Sequence, residues 1–169
     1  DRVARNSALV FSPAGELAAT YHKQKLFAYA DEQKSYLPGD QPVVIDVDGV
    51  RVAPFICYDL RFPELFRAVA RDVDLMVVIA SWPAARRSHW DTLLRARAIE
   101  NQCYVIGVNR SGEGGGIVYN GGSAAFDPWG EPVATVAVAG AEGVALAGVS
   151  SAEVARVRAA YPFLADAAG

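Results

Sequence analysis

The stretch Phe55-Ile56-Cys57-Tyr58-Asp59-Leu60-Arg61-Phe62-Pro63-Glu64 joins the end of an apolar segment to a short polar turn and a proline-led helix start. Apolar residues at helical spacing after Pro63 predict a helix over residues 64–71. Reactive groups in α/β folds are exposed where a strand ends and a helix follows, so Cys57 is a candidate nucleophile. Its position alone also fits a buried, unreactive cysteine.

Apolar segments on either side of this stretch predict the remaining strands. Residues 8–11 and 17–21 flank a Pro/Gly turn, and residues 43–47 and 52–57 flank Asp48-Gly49, so each pair predicts a β-hairpin. Pro54 weakens the second strand of the latter hairpin. Residues 28–40 predict a long loop, a feature that is often functional.

The second half of the chain alternates buried strands with helices. Continuous apolar runs predict strands over 74–80 and 104–108, and shorter strands are expected at 124–126, 133–138 and 144–149. A helix capped by Ser88 is expected to bury Trp90 and Leu94, and another spans 151–160. Residues 112–122 predict a glycine-rich loop. The mixture indicates a layered α/β or α+β domain over residues 1–169.

Composition excludes several classes of protein. The 169 residues are 52% hydrophobic and 21% charged, with 16 Lys and Arg against 19 Asp and Glu. This argues against disorder and against a basic nucleic-acid footprint. Two cysteines do not form a disulfide framework, so we expect a reduced, cytoplasmic compartment. No apolar run is long enough to span a membrane, and no signal-peptide core follows Asp1.

Two neighbours make Cys57 a stronger candidate. A thiol becomes reactive when cations lower its pKa, and Arg61 lies one turn away. The backbone N–H of Tyr58 would be available to stabilise an oxyanion. Lys23 and Lys25 follow a predicted strand, and a lysine held beside the thiol could serve both purposes; solvated side chains are the alternative for both lysines.

The ordered motifs resemble the nitrilase superfamily of carbon–nitrogen hydrolases, and among them the bacterial omega-amidase type. The resemblance covers nearly the whole chain. Its motifs are Tyr21-x-Lys23-x-x-Leu26-Phe27, Ala30-Asp31-Glu32, Cys57-Tyr58-Asp59-Leu60-Arg61-Phe62-Pro63-Glu64, Ser81-Trp82-Pro83, His89-Trp90, Ala96-Arg97-Ala98-Ile99-Glu100-Asn101-Gln102, Asn109-Arg110, Gly122-Ser123 and Asp127-Pro128-x-Gly130-Glu131.

This resemblance implies a four-layer αββα sandwich and a cofactor-free Glu–Lys–Cys mechanism. Carried onto this sequence, it makes Cys57 the nucleophile, Lys23 the catalytic lysine and Glu32 a supporting glutamate. Lys25 stands where the family usually has His, which is a departure. No residue of the chain matches the general-base glutamate, so we expect either an N-terminally incomplete domain or a glutamate supplied by another chain.

The substrate side is marked by Arg61, which could pair with a substrate carboxylate or with Glu64 or Asp59. Trp82 could line the pocket or pack in the core, and Tyr36 and Phe27 could also line the pocket. His89 is expected to hydrogen-bond near its helix start.

The resulting interpretation is an amidase acting on a small carboxylate-bearing amide such as 2-oxoglutaramate. Other branches of the family, which act on nitriles, carbamoyl amines or deaminated glutathione, stay open. So do a non-catalytic half-domain and a thiol-dependent carrier or redox protein. The resemblance also suggests a homodimer, with residues 64–71 and 86–102 as candidate contacts. No spacing fits a metal site or a phosphate-binding loop, and Cys103 is expected to be buried and inert.

Overall fold

The computed structural model describes residues 4–136 and 142–167, which form ten strands and four α-helices. The strands are β1 Ser7–Phe11, β2 Leu17–His22, β3 Ile45–Val47, β4 Val50–Ile56, β5 Leu75–Ala80, β6 Tyr104–Asn109, β7 Ser111–Gly114, β8 Ile117–Asn120, β9 Ala124–Phe126 and β10 Pro132–Thr135. The helices are α1 Pro63–Val69, α2 Arg87–Asn101, α3 Ser151–Ala160 and α4 Phe163–Asp166.

Six strands form one mixed sheet in the order β10-β9-β6-β5-β4-β3. Its three central strands, β4, β5 and β6, are parallel, whereas β3, β9 and β10 pair antiparallel to their neighbours. The hairpins β1–β2 and β7–β8 form separate two-stranded sheets. The carboxyl ends of the three parallel strands therefore meet at one edge, where α/β proteins bind their ligands.

Two hydrophobic clusters lie on opposite faces of the central sheet. The larger one takes Met76 and Val78 from β5 and the fully buried Trp90 and Leu94 from α2. The smaller one takes Leu75 from β5 and Val154 from α3. Because successive strand residues point to opposite faces, the continuous apolar run of β5 serves both clusters.

Both predicted hairpins of the N-terminal half form, with small changes of extent. The first pairs Ser7 with His22, one residue beyond the expected strands. In the second, β3 begins at Ile45, so Val43 and Val44 lie outside it. Pro54 does not end β4. Pairing with β3 stops at Val52, and Pro54 therefore stands where β4 has a strand neighbour on the β5 side alone.

The helices at 64–71 and 151–160 form nearly as predicted, but the prediction that Ser88 caps α2 was wrong. A 3₁₀ turn over Ala84–Arg86 leads into α2, so the helix begins before Ser88, which lies inside it. For α3 a cap does form, since the Ser150 hydroxyl accepts a hydrogen bond from the Glu153 N–H at 3.2 Å.

Two predictions in the C-terminal half were also wrong. The glycine-rich segment 112–122 is mostly a hairpin, β7–β8, because Gly115 and Gly116 adopt the positive φ angles that a tight turn requires. Residues 144–149 form no strand, and the side chains of Val144 and Leu146 are about 90% exposed. The strand expected over 133–138 ends at Thr135, and residues 137–138 lie outside the described residues. None of the described helices is long and apolar enough to cross a membrane.

Candidate active site

Cys57 follows directly after β4, at the carboxyl edge of the parallel strands. Its φ of 47° is left-handed, a conformation that costs a non-glycine residue about 1–2 kcal/mol. A 3₁₀ turn over Cys57–Arg61 begins at this residue. The abrupt change from strand to turn leaves the thiol on the walls of two neighbouring cavities, of about 560 and 640 Å³.

The smaller cavity brings Cys57 together with Lys23 and Glu32, as the sequence predicted. The Lys23 side chain is buried, and its Nζ donates to Glu32 Oε2 at 2.6 Å. A buried ammonium requires such a partner, since leaving it unpaired would be costly. The two segments that carry Cys57 and Lys23 are far apart in sequence, yet both side chains line the same cavity.

Glu32 is held by three donors. Besides Lys23, the Phe27 N–H donates to Oε2 at 2.6 Å and Asn6 Nδ2 donates to Oε1 at 2.9 Å. Burial alone would raise the pKa of Glu32, but the hydrogen bonds from Lys23, Asn6 and Phe27 outweigh it and lower the pKa. Glu32 is therefore an ionised carboxylate that fixes Lys23.

For Cys57, the nucleophile candidate, burial affects the pKa of the thiol more than the neighbouring charges and hydrogen bonds do. Removal from water raises the pKa of the Cys57 thiol, whereas the Lys23 ammonium and a weak contact to the Ser81 carbonyl, 4.0 Å from Sγ, act in the opposite direction. Among the cations considered from the sequence, Lys23 is the one that opposes the rise. The thiol is mostly protonated at neutral pH, so a nucleophilic role would require a base.

Arg61 points into the larger cavity and pairs with neither of the carboxylates considered from sequence. Its Nη2 lies 3.0 Å from His89 Nδ1, and its guanidinium stacks 4.9 Å from the centre of the Trp82 ring. Glu64 instead pairs with Lys25 Nζ at 3.3 Å. Since arginine can only donate, His89 Nδ1 accepts. Within residues 4–136 and 142–167, Arg61 forms no ion pair.

The other predicted pocket residues divide between the two cavities. Trp82 both lines the larger cavity and belongs to the hydrophobic core, with its ring buried and its Nε1–H donating to the Arg86 carbonyl at 2.8 Å. Tyr36 lines the smaller cavity, and Phe27 lines both. The Tyr58 residue that would supply the oxyanion N–H lines the larger cavity beside Cys57.

Three residues that shape the site were not among the site residues predicted from sequence. Asn6 binds Glu32, and the hairpin register that sets Ser7 opposite His22 places Asn6 beside Lys23. Asn109, at the end of β6, accepts from the Trp82 N–H at 2.7 Å and donates to the Trp82 carbonyl at 3.1 Å. Asp59 is fully buried two residues after Cys57.

Comparison with known proteins identifies the family. The carbon–nitrogen hydrolase family model matches residues 1–159. The chain belongs to the carbon–nitrogen hydrolase family. It is 46% identical over 131 residues to the omega-amidase YafV of Escherichia coli K12, an alignment that covers 77% of this chain and 50% of that protein. It is 35% identical over 162 residues to the 2-oxoglutaramate amidase of Bacillus subtilis 168, covering 95% of this chain and 62% of that protein.

Solved structures of this superfamily share the fold. A CN-hydrolase superfamily protein from Xanthomonas campestris, with an arsenic adduct in its active site, superposes with a TM-score of 0.87 at 39% identity over 96% of this chain and 63% of that chain. A mutant amidase from Nesterenkonia sp. AN1, which shows Michael addition of acrylamide at its active site cysteine, gives 0.78 at 31% identity over 91% and 60%. The nitrilase-type α/β fold predicted from sequence is confirmed. The chain spans about half to two thirds of the length of these relatives.

Proposed function

We propose that the protein is a cysteine-dependent amidase that hydrolyses the terminal C–N bond of a small carboxylate-bearing amide, in the manner of an omega-amidase. The observation that carries the proposal is the shared cavity of Cys57, Lys23 and Glu32 at the carboxyl edge of the parallel strands. The names of the relatives, an omega-amidase and a 2-oxoglutaramate amidase, favour 2-oxoglutaramate as substrate, with 2-oxoglutarate and ammonia as products.

In the proposed reaction the Cys57 sulfur attacks the amide carbonyl and its proton is transferred to a base. The Lys23 ammonium and the Tyr58 N–H stabilise the oxyanion, each such donor being worth about 3 kcal/mol in the barrier. Collapse releases ammonia, which takes up the transferred proton, and leaves a thioester on Cys57. Water then attacks the thioester, and the carboxylic acid product leaves as the thiol is restored.

The base is the part of the mechanism that the described residues do not supply. Two carboxylates influence the Cys57 thiol, Glu32 and Asp59, and both are occupied by other hydrogen bonds. The family resemblance implies a further glutamate in this role, and acid–base assistance of this kind is typically worth about 10²–10⁴-fold in rate. Activity is therefore to be measured on protein expressed from the complete reading frame.

The larger cavity supplies a site for the substrate carboxylate. Among the described residues, its lining contains Arg61 and Arg86 and no acidic side chain. Arg61 is held in place by His89 and Trp82, so its remaining donors are available for bidentate binding of a carboxylate. The proposed substrate would place its amide carbonyl at Cys57 and its carboxylate at Arg61.

The decisive measurement is ammonia release from 2-oxoglutaramate, with butyramide as a neutral comparison. We expect turnover of the carboxylate-bearing amide, loss of turnover in Cys57→Ala, and retention in Cys103→Ala. Cys103 is a matched control because it is the other free cysteine and is fully buried, with a pKa raised by burial to about 12. Equal rates for wild type and Cys57→Ala would refute the assignment.

A non-catalytic interaction module is the second candidate, and one observation favours it. Ile79 and Val108 are paired on neighbouring strands and are 41% and 48% exposed, so one face of the central sheet presents apolar surface. Under this alternative, Cys57→Ala would leave partner binding intact and no amide would be hydrolysed. A homodimer through α1 and α2 and a cytoplasmic location stay predictions.

A further inference from the structure

The carboxylate of Asp59 connects the two segments that carry the proposed catalytic side chains. Its Oδ2 accepts from the Ile56 N–H at 3.0 Å, in the residue directly before Cys57. The same oxygen accepts from the Tyr21 hydroxyl at 2.8 Å, and Oδ1 accepts from the Lys25 N–H at 2.8 Å. Tyr21 and Lys25 lie two residues before and two residues after Lys23.

These segments belong to different sheets. Cys57 follows β4 of the six-stranded sheet, whereas Lys23 follows β2 of the two-stranded sheet β1–β2. No ladder of backbone hydrogen bonds pairs β2 with β4. The Asp59 carboxylate therefore joins the two segments by hydrogen bonds, close in sequence to both Lys23 and Cys57.

The link is a costly one to build. Asp59 is completely buried, and its burial raises the pKa of the carboxyl group, although the hydrogen bonds from the Lys25 and Ile56 N–H groups and from Tyr21 oppose the rise. Its charge also acts against thiolate formation at Cys57. A carboxylate here is thus unfavourable for the reactivity of the Cys57 thiol. Its two acceptor oxygens are, however, suited to holding the Ile56 N–H, the Lys25 N–H and the Tyr21 hydroxyl in fixed positions.

We propose that Asp59 is a positioning residue that sets the placement of the Cys57 thiol relative to the Lys23 ammonium. This inference rests on the proposed amidase function. Asp59 does not touch the substrate; it acts through the backbone of the two segments. A displacement of about 1 Å between reacting groups can reduce a rate about 10²-fold, so loss of the link is expected to lower kcat far more than it changes KM.

The test compares Asp59→Asn with Asp74→Asn in the protein from the complete reading frame. An amide has one acceptor oxygen, so at least one of the Ile56 and Lys25 N–H groups loses its acceptor in Asp59→Asn. Asp74 is a matched control: it is also buried and accepts from the Arg51 N–H at 3.0 Å, but it lies outside both cavities. We expect an approximately 10²-fold lower kcat with little change of KM in Asp59→Asn, and wild-type kcat and KM in Asp74→Asn.

A second readout separates positioning from a purely electrostatic role. Removing the charge of Asp59 by itself would favour the thiolate and speed alkylation of Cys57 by acrylamide. Displacing Lys23 would slow it. We expect slower alkylation in Asp59→Asn than in wild type, measured by intact mass on folded protein; faster alkylation or an unchanged kcat would overturn the proposal.

The experiment stays informative if one arm fails. Should Asp59→Asn not fold, Tyr21→Phe decides, because it removes one hydrogen bond and keeps the charge; slower alkylation supports the proposal and an unchanged rate overturns it. Should wild type release no ammonia from any amide, the proposed function fails. The alkylation rates alone then judge whether Asp59 positions Cys57.

Discussion

Lys23 and Lys25 lie two residues apart and have different environments. Lys23 is 4% exposed and bound to Glu32, whereas Lys25 is 36% exposed and paired with the exposed Glu64. Burial makes the charge of Lys23 effective, because few water molecules screen it from Cys57. The contacts of Lys25 to Glu64 and to the Phe62 ring lie at the surface.

This difference predicts how the two lysines affect the reactivity of Cys57. We expect Lys23→Met to slow alkylation of Cys57 by acrylamide about tenfold or more at pH 8, because removing the ammonium raises the pKa of a thiol already raised by burial above its ordinary value of 9.0. In wild type the rate should rise with pH up to at least pH 9, as thiolate forms. Lys25→Met is the control and should react like wild type. Equal rates in the two variants would contradict the assignment of Lys23.

Motifs in the sequence predicted which of these side chains lie together. Cys57, Lys23 and Glu32 were expected together and line one cavity. The partner of Arg61 was not predictable, because sequence separation favoured Glu64 and Asp59 and gave no weight to His89, which comes 28 residues later. The bridging role of Asp59 likewise depends on the hairpin β1–β2 packing near β4, which no local pattern specifies.

Among the elements, α2 packs closely on β6, the third of the parallel strands that end at the site. Gly107 lies in β6 under α2, and a Cβ added there would meet Leu94 Cδ1 at 2.3 Å and Trp90 Cζ2 at 2.7 Å. Both side chains are fully buried. Glycine at this position thus permits the close approach of helix and sheet.

We expect Gly107→Ala to lower the free energy of unfolding by about 1–3 kcal/mol, the usual cost of overpacking a core. Gly148→Ala is the control, since a Cβ there meets nothing within 4 Å and the backbone is not left-handed, and it should change stability by less than about 0.5 kcal/mol. Urea denaturation followed by circular dichroism measures both. A Gly107→Ala protein as stable as wild type would show that α2 can shift without penalty.

Strands and helices were predicted well where the apolar periodicity was strong, and poorly where a strand depends on pairing with another strand. The apolar run of β5 and the helix α3 were found close to their observed bounds. The hairpin β7–β8 was missed because all four residues of β7 are glycine or polar and the turn between the strands is Gly115-Gly116. Residues 144–149 have a strand-like apolar content, but a strand forms only where a neighbouring strand supplies hydrogen bonds.

In the part of the chain that the structure describes, the helices cover one face of the central sheet incompletely. Along β5 and β6, the pairs Leu75–Tyr104, Val77–Ile106 and Ile79–Val108 point to the same side. The first pair is buried against Val154 of α3, and exposure increases along the strands to 41% for Ile79 and 48% for Val108. The uncovered end of this face is the end nearest the site.

Exposed apolar surface of this kind favours association, and the 169-residue chain is expected to self-associate as its concentration rises. Replacing Ile79 or Val108 by Lys should reduce the association, because a charged side chain at the face would have to be desolvated on contact. Val47→Lys is the control: Val47 is also 48% exposed, but it lies at the end of the edge strand β3. Sedimentation equilibrium at several concentrations measures the effect. If wild type stays an 18.0 kDa monomer throughout, the face does not drive association, and the interaction-module candidate loses the observation that favours it.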